Sequence, residues 1–242
     1  ICNKIAEYRL LRVVMQKGFD IVHYNSIIYG VGARLLMKHH IPYVWHLREN
    51  FKELDIEFYS KNKSLKIIEN ARSIFVISNA TYKFYSDILD ANKLKTIYNG
   101  LSFKNDKKIS RYLDYSNKIE LLIVGAIYKG KGQLEAIKAI EYVYRNRFQN
   151  VCLNIIGQVI DNEYMDEINR YVKENSIENI VKFHGYQNIV DEFRKKCDIA
   201  LICSESEAFG RVTVEAMYYK QIVIGSNIGG TLEIITNGVN GF

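Results

Sequence analysis

The second half of this chain alternates short β-branched runs with amphipathic stretches, and that alternation leaves few folds open to it. The runs are Leu121 to Gly125, Leu153 to Gly157, Val181 to Gly185, Ile199 to Ser204 and Ile222 to Ser226, each ending in Gly or Ser. Helical candidates fall between and after them, at about 133–146, 162–175, 188–196, 212–220 and 231–236. Strand and helix in regular succession form βα units, and βα units build a parallel sheet covered by helices. In an open parallel sheet, ligands bind beyond the carboxyl ends of the strands, where these Gly and Ser loops gather.

The first half has the same texture. Strands are predicted at Ile21 to Asn25, Tyr43 to Glu49, Ser73 to Ser78 and Leu94 to Tyr98, with helices near 29–40, 61–71 and 79–90. The single proline, Pro42, precedes a strand and disturbs nothing. A length of 242 residues suits two domains better than one. The expected fold class is therefore α/β with two Rossmann-like domains: residues 1–101, a polar linker without periodicity at 102–118, and residues 119–242. The chain opens on Ile1 rather than Met and stops at Phe242, just after the turn Asn237-Gly238-Val239-Asn240-Gly241. The expectation is that the first domain is incomplete and that both ends lack something.

Several classes are disfavoured. No apolar run approaches the roughly 18–20 residues that span a bilayer, and the charged first 20 residues are not shaped like a signal peptide, so a cytosolic location is expected. The four cysteines, Cys2, Cys152, Cys197 and Cys203, form no CxxC pair and have no His at ligand spacing, which argues against a disulfide or zinc framework. Residues 1–115 hold 19 Lys/Arg against 11 Asp/Glu, whereas residues 116–242 hold 14 against 16. The basic half suits an anionic partner such as a membrane leaflet, a lipid phosphate or a nucleic acid. A plain Lys-rich solvated surface explains it equally well, since no basic block stands out. Nucleic acid is the weakest candidate, because no stacking-aromatic module or recognition motif accompanies the charge.

Three loops carry candidate chemistry. The first is Ser204-Glu205-Ser206-Glu207-Ala208-Phe209-Gly210-Arg211-Val212-Thr213-Val214-Glu215, which follows a buried strand and opens a helix. Backbone N–H groups from about Phe209 to Val212 would face an anion there, helped by the helix dipole. Glu207 before the turn and Glu215 inside the helix would flank a bound phosphate and accept from sugar hydroxyls. The second loop, Val124-Gly125-Ala126-Ile127-Tyr128-Lys129-Gly130-Lys131-Gly132-Gln133, offers glycines and lysines between strand and helix. It is neither GxGxxG nor a P-loop, and by itself it also fits a solvated turn. The third, Gly225-Ser226-Asn227-Ile228-Gly229-Gly230-Thr231, is expected to expose further backbone N–H groups beside a helix start.

The ordered set resembles glycosyltransferase family 4. The run S-x-x-E-A-F-G-R-V-x-V-E-A-M, followed by G-S-N-I-G-G-T-x-E-I-I-x-N-G-x-N-G, is similar to that family's donor domain, as is the turn Lys131-Gly132-Gln133. In the first half, Phe19 to His23, Val44-Trp45-His46-Leu47-Arg48-Glu49, Ile77-Ser78 and Tyr98-Asn99-Gly100 follow the order of its acceptor domain. The resemblance implies a GT-B fold and a retaining transfer from a UDP- or GDP-sugar to a hydroxyl, with the acceptor entering the face that the leaving group vacates. By the same resemblance Lys131 neutralises the donor pyrophosphate, Gly125 lies in the first donor loop, and the backbone at Phe209 and Gly210 holds the distal phosphate. Glu207 is placed near the transferred sugar, Glu215 on the ribose, Tyr186 by the base and His46 facing the sugar from the acceptor side. For His46 the bland alternative is a histidine satisfied inside a buried strand end.

The family often has Arg where this chain has Ala126; Lys129 or Arg211 is the expected substitute. Ala208 also replaces the family's glycine before Phe-Gly. No DxD-like motif stands in a suitable loop, so neither metal nor cofactor is expected beside the nucleotide-sugar substrate. The basic first half fits a lipid-linked or saccharide acceptor at the inner membrane face, as in bacterial surface polysaccharide or glycolipid assembly. The alternative is a non-catalytic nucleotide-sugar-binding subunit or inactive fragment.

Overall fold

The computed structural model describes residues 4–50, 61–103 and 118–242, in two compact units, Ile1–Gly100 and Leu101–Phe242. The boundary between Gly100 and Leu101 falls just ahead of the stretch expected to be a linker, 102–118, of which residues 104–117 lie outside the described residues.

The first unit is built on the strands β1 (Val22–Tyr24), β2 (Tyr43–Leu47), β3 (Ile74–Val76) and β4 (Leu94–Thr96), all parallel and in the order β1-β2-β3-β4. The helices α1 (Lys4–Lys17), α2 (Ala33–Lys38), α3 (Lys61–Glu69) and α4 (Asn79–Ser86) accompany them. The strict alternation of β2 decides which face is buried: Tyr43, Trp45 and Leu47 lie in the core, whereas Val44 and His46 point the other way. Trp45 is fully buried, stacks on Tyr24 with ring centroids 4.5 Å apart and donates its indole N–H to the Ser26 carbonyl at 2.9 Å. Sequence reasoning assigned nothing to α1, yet Glu7, Leu11 and Val14 along it are buried at helical spacing.

The second unit contains β5 (Ile119–Val124), β6 (Val151–Ile156), β7 (Val181–Phe183), β8 (Ile199–Ile202) and β9 (Ile222–Gly225). Its helices are α5 (Gln133–Asn146), α6 (Asn162–Glu174), α7 (Asp191–Lys196), α8 (Arg211–Tyr218) and α9 (Thr231–Ile234). The all-parallel order is β7-β6-β5-β8-β9. Helix α6 shows how the local sequence sets this up. Asp161 caps it by accepting from the Tyr164 N–H at 3.0 Å, worth about 1 kcal/mol. Tyr164, Ile168 and Val172 then recur every fourth residue, and their stripe is buried, at about 1.5–3 kcal/mol per large apolar side chain. From β5 the chain steps outward to β6 and β7, then returns to place β8 on the other side of β5. That reversal makes the gap between the carboxyl ends of β5 and β8 the switch point, where a doubly wound sheet takes its ligand. Among the described residues, no helix is long and apolar enough to cross a membrane.

Candidate active site

The loops that follow β5 and β8 close over the switch point and are tied to each other. Gly132 has a left-handed φ of 67°, and a Cβ there would fall 2.3 Å from the Cys203 carbonyl oxygen, so both the turn and the close approach require glycine. The Glu205 N–H donates to the Gly130 carbonyl at 3.0 Å. Gln133, fully buried, donates its amide to the Ala126 carbonyl at 2.9 Å. The two loops are thus held to each other through backbone atoms, and the one after β5 is also braced by the Gln133 side chain.

Lys131 ends the short 3₁₀ turn Lys129–Lys131, its stem lying over Gly125. Its ammonium donates to Ser204 Oγ at 3.2 Å and to Glu207 Oε2 at 3.3 Å. The other Glu207 oxygen accepts the N–H of Gly210, the N-cap of α8, at 3.3 Å. A cation and a helix-terminal amide, the two groups that a phosphate needs, therefore converge, and the Glu207 carboxylate engages both. The enclosed volume at this point is only about 10 Å³, with the ion pair in its lining. A larger hollow of about 350 Å³ opens beside the end of β9, lined by Ser226, Asn227, Thr231, Asn237 and Phe242 among others.

The Gly229-Gly230 turn behaves otherwise than expected. The Gly230 N–H donates to the Glu207 carbonyl at 2.7 Å, and a Cβ on Gly229 would lie 2.3 Å from the same oxygen. The turn packs so closely under the first loop that this amide meets backbone rather than ligand, and its role is to support Glu207.

Glu215, on α8, is clamped. Its Oε2 accepts from Arg194 Nη2 at 2.6 Å and its Oε1 from Arg211 Nε at 2.7 Å. Arg194, on α7, is only 2% exposed; burial pulls its guanidinium pKa down, and the Glu215 charge opposes that pull. Of the two cations expected to stand in at Ala126, Arg211 is turned onto Glu215 and Lys129 is exposed. The Phe209 side chain is buried. Tyr186 is exposed and follows the edge strand β7, two residues past His184. Sequence reasoning missed Ser204 as a partner of Lys131 and Arg194 as the holder of Glu215.

His46 belongs to the first unit. Its ring stacks on His23 at 5.7 Å and meets Phe75 edge-on at 6.0 Å, and its buried Nε2 has no hydrogen-bond partner among the described residues. Burial, then the charges of Arg48 and His23, push its pKa down to about 4, so the imidazole is neutral at pH 7. The unfolded state binds that proton near the ordinary value of 6.5, so this group costs stability as pH falls from 6.5 toward 4 and adds nothing further below. The urea midpoint should therefore fall less between pH 7 and pH 4.5 in His46→Phe than in the unmutated chain. Equal slopes would show that His46 is not the acid-sensitive group. Among the described residues, no group of three or more His, Cys, Asp or Glu is arranged to hold a metal.

Two parallel-sheet α/β units, the second with its crevice at a switch point, constitute the GT-B architecture. The crystal structure of Anabaena HepE in complex with UDP and glucose shares it, with a TM-score of 0.77 and 26% identity over 96% of this chain and 66% of that one. A family model described as glycosyl transferases group 1 matches residues 104–242, and one described as Glycosyltransferase Family 4 matches residues 4–104. The chain therefore belongs to the group 1 glycosyl transferases, with a family 4 domain ahead of the group 1 domain. It is 26% identical to the N-acetyl-alpha-D-glucosaminyl L-malate synthase of Bacillus anthracis, covering 100% of this chain and 64% of the relative. It is also 26% identical to the capsular polysaccharide biosynthesis glycosyltransferase CapM of Staphylococcus aureus, covering 85% and 52%. The chain thus spans about half to two thirds of the length of these relatives.

Proposed function

We propose that this chain carries the donor site of a retaining glycosyltransferase that moves a sugar from a UDP- or GDP-sugar to a hydroxyl acceptor. The observation that carries the reading is the meeting of Lys131, Ser204, Glu207 and the Gly210 amide at the switch point. The donor diphosphate takes over Lys131 and the α8 amides from Glu207, so the groups that stabilise the departing diphosphate are in place before charge develops on it. No metal is then required for that charge. Glu207, released, faces the moving sugar; Glu215, oriented by its two arginines, accepts from the ribose hydroxyls; and His46, uncharged, serves the acceptor side. Retention follows when the acceptor hydroxyl enters the face from which the diphosphate leaves.

Support for the donor class comes from the UDP held by HepE, and support for a role in bacterial surface polysaccharide or glycolipid assembly from the name of CapM. The net positive first half, 19 Lys/Arg against 11 Asp/Glu over residues 1–115, fits a lipid-linked acceptor at the cytoplasmic membrane face. A thermal-shift panel of UDP, GDP, ADP and their sugar conjugates tests the donor, because a ligand of the folded state raises its stability. UDP or GDP compounds are expected to give the largest shift. Product analysis by proton NMR tests the stereochemistry, and an inverted anomeric centre would overturn the retaining mechanism.

A further inference from the structure

The first unit holds a cation that its own fold positions without neutralising. Arg48 directly follows β2, and its guanidinium donates to two asparagine side chains at the ends of other strands. Nη1 donates to Asn25 Oδ1 at 2.9 Å, just beyond β1, and Nη2 donates to Asn99 Oδ1, three residues beyond β4. Both partners are uncharged amides. Among the described residues, no carboxylate oxygen lies within 4.0 Å of this guanidinium. The acid next to it, Glu49, is committed elsewhere: Oε1 accepts from Ser26 Oγ at 2.8 Å, and Oε2 accepts the backbone N–H groups of Ile27 and of Arg48 itself.

A guanidinium has five N–H donors, and two are used here, so a planar fork with its full charge remains available at the carboxyl end of the sheet. The charge is felt nearby, since it helps to depress the pKa of His46. Two buried atoms without hydrogen-bond partners among the described residues, His46 Nε2 and Asn50 Oδ1, belong to side chains two positions before and after Arg48. Hydroxyl groups of a bound molecule would satisfy such atoms. A held fork, neutral positioning partners and orphaned polar atoms on side chains two positions to either side together describe a receptor for a hydroxylated oxyanion.

We infer that Arg48, oriented by Asn25 and Asn99, binds an oxyanion, phosphate or carboxylate, carried by the acceptor molecule. The inference rests on the proposed transferase reading for the word acceptor, but the site contains no residue of the donor crevice. It is tested on the unmutated chain by modifying arginines with phenylglyoxal, with Arg48 followed by peptide mass spectrometry. The measurement is made with UDP saturating, in separate series with inorganic phosphate and with acetate, at constant ionic strength. Slower modification of Arg48 in either series supports the site and identifies the anion class; no protection in either overturns it. A second measurement compares variants, with Arg48→Gln expected to weaken binding of the protecting anion by about tenfold or more and Arg48→Lys by less. Equal affinity in Arg48→Gln and the unmutated chain overturns the inference. UDP binding is read in the same samples, and its absence would count against the donor crevice while leaving the Arg48 result standing.

Discussion

Glu215→Ala is expected to destabilise the folded chain by on the order of 3 kcal/mol, more than any other single change in the crevice. The reason is Arg194, which is 2% exposed and loses its carboxylate partner at 2.6 Å when Glu215 is truncated. Removing one member of a buried pair takes away the carboxylate that best offsets the desolvation of the other. Arg211, also bonded to Glu215, has a 72% exposed side chain, so its loss of a partner costs little. Urea denaturation measures the effect directly. Glu215→Gln, which keeps an oxygen for Arg194, should lose less, and Arg194→Met combined with Glu215→Leu should recover much of the loss because neither charge remains. An unchanged midpoint in Glu215→Ala would show that Arg194 is stabilised by other groups. The same argument bears on assays of ribose recognition: nucleotide affinity in Glu215→Ala mixes a binding loss with an unfolding loss, and Glu215→Gln separates them.

The architecture was largely legible in the sequence, because β-branched runs and amphipathic stretches are local signals. Helix α5 spans 133–146 as its periodicity predicts. The strands stop before the Gly or Ser taken as their ends: β7 closes at Phe183 and β8 at Ile202, since the following residues already turn into the loops. Helix α1 gives no local signal, because Lys4, Glu7, Arg9, Arg12 and Lys17 make its composition look solvated, although Glu7, Leu11 and Val14 are buried. Arg194 was hidden for a similar reason. In the run Asp191-Glu192-Phe193-Arg194-Lys195-Lys196 nothing marks one arginine as internal, and its burial comes with a partner 21 positions away on α8.

The candidate site was legible as a set of loops but not as a set of contacts. Motif spacing marked Lys131 and Glu207 separately. Their direct pairing depends on strands β5 and β8 lying side by side, a consequence of the strand-order reversal that no local pattern encodes. For the same reason local sequence presents the Gly229-Gly230 turn as a ligand loop, whereas its tight packing against the Glu207 carbonyl makes it a support.

Lys131→Ala is expected to weaken binding of UDP, or of whichever nucleoside diphosphate the chain prefers, by at least about tenfold. A charge-assisted contact to phosphate in a partly closed site contributes about 1.5–3 kcal/mol, and the Lys131 side chain is 25% exposed. Lys129, exposed on the same turn, should contribute under about 1 kcal/mol, so Lys129→Ala should lower affinity by only a few-fold. Glu207→Gln provides the sharper contrast. In the free chain the Glu207 carboxylate holds both Lys131 and the Gly210 N–H, so a diphosphate must displace it. Removing that charge should leave affinity for the free diphosphate unchanged or raise it, while turnover of a sugar conjugate should fall if Glu207 acts at the moving sugar as proposed. Calorimetry with the free diphosphate and with its sugar conjugate separates these effects, with urea midpoints confirming that each variant is folded. A larger loss in Lys129→Ala than in Lys131→Ala would transfer the phosphate role to Lys129. A loss of free diphosphate affinity in Glu207→Gln as large as that in Lys131→Ala would mean that the carboxylate builds the phosphate site rather than occupying it.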